Sequence, residues 1–190
     1  MSHLPKTVDS ILQTLPLEKL PQTLAEATAL LEQLILQDIQ QEVREKKLFY
    51  HTCAHALAVK QRAQLIFATL EPFWPQALKP VDRPLPPPQR TKWLIALAAI
   101  AHDLVQDFLP QTSPNLPRKR ESGVSETASI NKVTRYIHIL NQQLLPSQPD
   151  SEARFSDLDL RVIKAAIEAT ICSYDCLTHS VYQPYLYGDR

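Results

Sequence analysis

Two glycines punctuate this chain of 190 residues. Tight reversals between β-strands lean on glycine for their positive-φ positions, so a chain this poor in glycine has few ways to build hairpins. Leu, Ala and Gln are abundant, and strand-turn signals are nearly absent. Together these predict an all-α fold. The sixteen prolines, several of them clustered, mark where helices must stop.

Between those stops the apolar spacing places the helices. Pro5 to Leu20 offers a first one, with Leu12, Leu15 and Leu20 partly on one face. Thr23-Leu-Ala-Glu26 has the capping-box pattern and starts a second, carrying Leu30, Leu31, Leu34, Ile35 and Ile39 at helical spacing. A third begins around Tyr50 and runs to about Leu70, where Pro72 and Pro75 stop it. Residues 75 to 89 hold Pro75, Pro80, Pro84, Pro86, Pro87 and Pro88, which predicts an extended surface loop. Thr91 to Phe108 reads as a helix apolar on nearly all sides, hence central and buried. After a second loop, Pro110 to Arg120, a helix is expected from about Ser122 to Leu144. The last helix starts at Ser156, capped by Ser156-Asp-Leu-Asp159, and runs to about Cys172. No repeat or internal boundary shows. The expectation is one domain over 1–190, with N-terminal helices in 5–46 packed on the core and an irregular, tyrosine-rich tail over 174–190 (Tyr174, Tyr182, Tyr185, Tyr187).

Charge and cysteine content narrow the setting. Twenty basic and twenty acidic side chains cancel, so no duplex nucleic acid partner is expected. Three cysteines (Cys53, Cys172, Cys176) are too few and odd in number for a disulfide scaffold, which fits a reduced, cytoplasmic protein. Met-Ser-His-Leu-Pro-Lys lacks the charged and apolar regions of a signal peptide. The longest apolar run, Trp93 to Ala101, is nine residues, too short to span a bilayer, so no membrane association is expected.

Against this background four side chains stand out. His51 and His55 lie in Tyr50-His-Thr-Cys-Ala-His55; His102 and Asp103 lie in Leu97-Ala-Ala-Ile-Ala-His-Asp103. Imidazole and carboxylate are costly inside an apolar surface unless something offsets their desolvation. A lone histidine on such a helix is usually a hydrogen-bonded core residue, but two such placements on two core helices point to a bound ion. On a helix, His51 and His55 would share one face a turn apart. His102 and Asp103 would diverge by about 100° and flank an ion at the helix edge. Imidazole with carboxylate suits a divalent Mn, Fe, Ni, Zn or Mg ion, which acidifies a bound water and polarises a phosphoryl oxygen.

In that order the motifs resemble the HD-domain metal-dependent phosphohydrolases. His55-Ala-Leu-Ala-Val59 and Ala-Ile-Ala-His102-Asp103 carry the general likeness. More narrowly, Tyr50-His-Thr-Cys-Ala-His55 resembles the Tyr-His-Asn-x-x-His signature of a bacterial branch. His102-Asp-Leu-Val-Gln-Asp107 resembles its His-Asp-Ile-Val-Tyr-Asp. Ser125-Glu-Thr-Ala-Ser129 resembles its Asn-Glu-x-x-Ser, and Ile167-Glu-Ala-Thr170 its Ile-x-x-Thr before a further histidine. The likeness spans roughly residues 45 to 175.

The resemblance implies an HD-domain-like helical bundle around a central apolar helix, and hydrolysis of a nucleotide or other small phosphoester. It matches His55, His102 and Asp103 to the first three metal ligands, and His51 to a nearby ligand or phosphate contact. It matches Asp107 and Glu126 to acidic positions near the site, the catalytic candidates; their plainer readings are a helix-end charge and an N-terminal helix cap. Ser129 is expected to pack or hydrogen-bond locally. Thr52 stands where the branch has Asn, and Ser173 where it has His. The family's fourth ligand is an Asp on a later helix; Asp175 and Asp189 are the late candidates here, and neither has that context. A shortened chain or an incomplete site would follow, with weak metal retention. The rival class is therefore a non-catalytic binding or regulatory protein on the same scaffold. Self-association is left open by the sequence.

Weaker candidates remain. Cys172-x-x-x-Cys176-x-x-His179 shows no fourth zinc ligand. Arg118-Lys-Arg120 is a solvated charge run or a phosphate contact. Trp74 and Trp93 read as core residues, and His3, His138 and His179 have no partner pattern.

Overall fold

The computed structural model describes residues 7–73, 86–110, 118–146, 151–175 and 177–187. The fold is mainly α-helical. In chain order the helices are α1 (Val8–Gln13), α2 (Leu24–Lys46), α3 (Cys53–Leu70), α4 (Pro88–Ala101), α5 (Val124–Leu144), α6 (Asp157–Glu168) and the short α7 (Pro184–Tyr187). Two three-residue strands, β1 (Ser173–Asp175) and β2 (Ser180–Tyr182), pair antiparallel with Tyr174 opposite Val181. Among the described residues no helix is long and apolar enough to cross a membrane.

The helix that reads apolar on nearly every side is the centre of the molecule. α4 packs against α2, α3 and α6, and buries Leu94, Ala96, Leu97, Ala98, Ile100 and Ala101. Trp93 packs against this core. Small alanines on α4 let its neighbours approach closely, while Leu and Ile fill the space between. α1 lies on α5, which carries Ile130, Val133, Tyr136, Ile137, Leu140 and Leu144 into the same core. The buried Tyr136 hydroxyl donates to Asp38 on α2, which also pairs with Lys132 at 2.7 Å.

Several boundaries differ from the sequence expectation, each for a local reason. The first helix ends at Gln13, because Pro16 supplies no backbone donor, and the chain continues as a 3-10 turn at Leu17–Lys19. Thr23 caps α2 through the backbone N–H of Glu26 as expected, but the Glu26 carboxylate reaches back to Gln22 N–H at 2.7 Å. α4 starts three residues early, since Pro88 suits the first helical turn, where no donor is needed. It also ends at Ala101 rather than Phe108. The backbone N–H of Val105 donates to Ser129 Oγ and that of Asp107 to Ser125 Oγ, both at 3.0 Å, so the chain is drawn off the helix axis onto α5. α5 begins after Gly123, whose φ of 81° is left-handed backbone that glycine adopts freely. The Ser156–Asp159 capping box closes in both directions, and α6 stops at Glu168. The tail expected to be irregular instead holds the hairpin and α7. Trp74, most of the loop 75–89, Cys176 and Asp189 lie outside the described residues.

Candidate metal centre

Two helix ends build the site. Thr52 is the N-cap of α3, its hydroxyl accepting from His55 N–H at 3.4 Å. Threonine thus does at this position what an Asn would also do. Because α3 starts at Cys53, His51 lies in the turn before the helix rather than one turn below His55. The two rings meet edge to face, 5.9 Å apart. Tyr50, largely exposed, tilts over His55 at 4.4 Å and meets His51 edge-on at 5.2 Å.

The second end is the C-terminus of α4. His102 caps the helix and Asp103 follows in the turn. Off the helix, their side chains converge instead of diverging: His102 Nε2 lies 3.2 Å from Asp103 Oδ2. The same oxygen lies 2.8 Å from His51 Nδ1 and 3.3 Å from His55 Nε2. Three imidazole nitrogens therefore surround one carboxylate oxygen. His51, His55 and Asp103 each offer a ligand atom, all within 4.8 Å of one another, a group able to hold a metal ion. The side chains of His51, His55 and Asp103 are 21%, 20% and 9% exposed, so the cluster is largely but not wholly shielded from water.

Electrostatics sharpen the point. Burial would raise the Asp103 carboxyl, but hydrogen bonds from His102 and His51 outweigh it and hold it well below the usual carboxylate range. Burial pushes His55 down, assisted by His102, His51 and Arg62 and opposed by Asp103. Burial would push His102 down as well, yet Asp103 and the Ala99 carbonyl raise it. His102 Nδ1 lies 2.9 Å from the Ala99 carbonyl, which can only accept, so Nδ1 carries the proton. In a neutral ring, Nε2 then presents a lone pair to the Asp103 carboxylate. That contact is repulsive unless a proton or a cation lies between them. A backbone carbonyl fixing the far nitrogen is also the usual support of a metal-binding histidine.

Bonds of about 2.0–2.2 Å meeting at about 90–110° put neighbouring donors roughly 2.8–3.6 Å apart. The three contacts to Asp103 Oδ2 fall in that range, while the group whose donor atoms all lie within 4.8 Å of one another comprises His51, His55 and Asp103 and leaves His102 at its edge.

The other expected residues are placed as follows. Glu126 is near enough to His102 to favour its charged form, and it lines a cavity of about 420 Å³ with Arg120, Ser122 and Ser125. Asp107 is half exposed and turned toward Lys46, 3.8 Å away. Asp175 is used by the hairpin: its carboxylate accepts from Leu177 N–H at 2.8 Å and Thr178 Oγ1 at 2.7 Å. Ser129 bonds not locally but across 24 residues, to Val105. Arg118 donates to the carbonyls of Lys46 and Lys47 at the end of α2 and covers the Phe108 ring, a structural use rather than a phosphate contact. Sequence reasoning passed over Gln106, which is buried against Asp103. An amide three residues after a buried aspartate, inside an apolar run, was the available signal.

Comparison of the chain with family models, characterised proteins and solved structures finds no match.

Proposed function

We propose that the protein is a metal-dependent phosphohydrolase of HD type, acting on a nucleotide or other small phosphoester. His51, His55, His102 and Asp103 would hold one divalent ion, identified by class as Mn, Fe, Ni, Zn or Mg. His51 would then supply the fourth donor that Asp175, tied into its hairpin, does not. The observation that carries this reading is the convergence of three imidazole nitrogens on Asp103 Oδ2. Helix polarity agrees, because the carbonyl end of α4 favours positive charge.

When bound, such an ion acidifies a water and polarises a phosphoryl oxygen. The chain's own groups would do the rest. Arg62, two turns along α3 from His55 and close enough to act on it, and Arg120 in the cavity wall would bring positive charge to an anionic substrate. Glu126, in the same cavity, would receive or return a proton. Asp107, paired with Lys46, is better suited to holding the loop than to proton transfer.

The test is metal analysis of the purified protein, followed by calorimetric titration with Mn²⁺ and Zn²⁺ and a panel of phosphoesters. Stoichiometric uptake with metal-dependent phosphate release is the expected result. Uptake without turnover would favour the second reading, a binding or regulatory protein, to which the diversion of Asp175 and Asp107 from the cluster lends weight. Absence of uptake would leave a protonated His–Asp network, defeat the hydrolase reading and likewise favour the second, which needs no complete metal site.

A further inference from the structure

We infer that Gln106 and Arg120 form a positioning relay for Asp103; this rests on the metal reading of the cluster. Gln106 is 1% exposed. Its Nε2 donates to Asp103 Oδ1 at 2.9 Å, and its Oε1 accepts from the Arg120 guanidinium. Its backbone carbonyl accepts from Lys46 Nζ at 2.9 Å, so the residue is held at both ends. The result divides the Asp103 carboxylate: Oδ1 faces the amide, and Oδ2 faces the three imidazoles.

Each link has a physical reason. The last torsion of an aspartate is soft, so the carboxylate plane needs an outside restraint to keep one oxygen on the histidines. The Gln106 amino group provides it. An amide can also be turned over, and its oxygen would then oppose Asp103 Oδ1, acceptor against acceptor. Arginine donates and never accepts, so Arg120 selects the orientation with the amino group toward Asp103. Arg120 fixes the amide, and the amide fixes the carboxylate. Arg120 also lines the cavity that holds Glu126, so the relay runs from the cavity wall to the cluster. Their side-chain hydrogen bonds run to Asp103 and to each other, so both act through Asp103.

The experiment titrates full-length wild type, Gln106→Leu, Arg120→Leu and Arg120→Lys with Co²⁺ alone, read by calorimetry and by visible absorption. Losing an outer partner of a metal ligand typically weakens binding about 10–100-fold, and Gln106→Leu should fall in that range with a shifted absorption band. Arg120→Leu should move both readouts the same way, and Arg120→Lys should recover part of the loss. A merely structural role would lower the melting temperature and leave the band of the folded fraction unchanged. Wild-type affinity and band in folded Gln106→Leu or Arg120→Leu overturns the relay while leaving the metal reading intact. Failure of wild type to take up Co²⁺ overturns both. Should Gln106→Leu not fold, the exposed Arg120 pair decides the matter.

Discussion

The two ends of α4 each place a buried carboxylate against cationic or proton-bearing partners, and they solve the problem differently. At the N-terminal end, Arg90 holds Asp159 through Nε at 2.8 Å and Nη2 at 2.6 Å. Ser156 donates its backbone N–H and hydroxyl to the same carboxylate, at 2.6 and 2.8 Å. Arg90 Nη2 also reaches the Arg154 carbonyl at 2.8 Å. Donors and acceptors match, and the charges cancel. At the C-terminal end, Asp103 meets three imidazoles, and the His102 ring has its Nδ1 proton committed to the Ala99 carbonyl. The first arrangement is complete as it stands; the second is complete only with an added proton or cation. A buried carboxylate matched by a planar guanidinium belongs to the scaffold, whereas one ringed by imidazoles has the makings of a site.

The largest expected effect breaks the C-terminal end. Asp103→Ala should abolish metal retention while leaving the helical fold intact. In wild type, metal at about 100 times its Kd should add roughly 2.7 kcal/mol of stability by mass action, and the variant should show no such gain. Thermal melts with and without Zn²⁺ check this. A variant that unfolds, beside a wild type insensitive to metal, would mean that the cluster is structural.

The matching change at the other end is Asp159→Ala. It leaves Arg90 without its partner and removes the capping box of α6, so a loss of about 3–5 kcal/mol is expected in urea denaturation. Metal affinity should stay at the wild-type value. If affinity falls in step with stability, the two ends of α4 are coupled, and the contrast between scaffold and site fails.

How much of this contrast was legible in the sequence differs from residue to residue. The group of His51, His55 and Asp103 was legible because histidine and aspartate are conspicuous beside apolar helical runs, and Ser156–Asp159 was legible because capping follows local chemistry. The end of α4 was not. Nothing between Leu104 and Phe108 breaks a helix; the break comes from Ser125 and Ser129, donated to by a distant backbone. The pairing of Arg90 with Asp159 spans 69 residues and follows from packing, not spacing. The residue type of Gln106 was the only signal for it, since its orientation depends on Arg120, fourteen residues further along the same connection between α4 and α5. The hairpin at 173–182 forms without glycine, with His179 at a φ of 53° supplying the left-handed position.

Acid separates the ends further. Burial would raise Asp159, but Arg90 and Ser156 together hold it below its ordinary value. The unfolded chain thus binds this proton more readily than the folded one, and stability rises with pH across the gap. The contribution is whole above about pH 4, the unfolded value, and is lost as pH falls through the lower folded value. Urea midpoints between pH 5 and pH 2.5 should fall more steeply for wild type than for Asp159→Asn. Equal slopes would show that Arg90 does not depress this group.

A smaller change tests what bends the chain off α4. Ser129→Ala removes the acceptor for Val105 N–H, at a cost of about 1–3 kcal/mol. Because that bond holds the segment just after Asp103, Zn²⁺ affinity should fall with it. Loss of stability at full affinity would show that the His102–Asp103 turn holds its shape without α5.

The smallest effect lies at the cap of α3, where scaffold and site meet in one bond. Thr52 accepts from the backbone of His55, so the hydroxyl that starts the helix also holds a proposed ligand. Thr52→Ala should cost about 1 kcal/mol, the usual value of an N-cap. Thr52→Asn should restore it, since an amide oxygen caps as well as a hydroxyl and this is the residue the resemblance expects here. His51 lies outside the helix and reaches Asp103 directly, so it should hold its place in either variant. The predicted result is a modest drop in melting temperature for Thr52→Ala and a loss of Zn²⁺ affinity confined to a few-fold. A loss as large as that of Asp103→Ala would mean that the first turn of α3, and not the end of α4, determines whether the cluster forms.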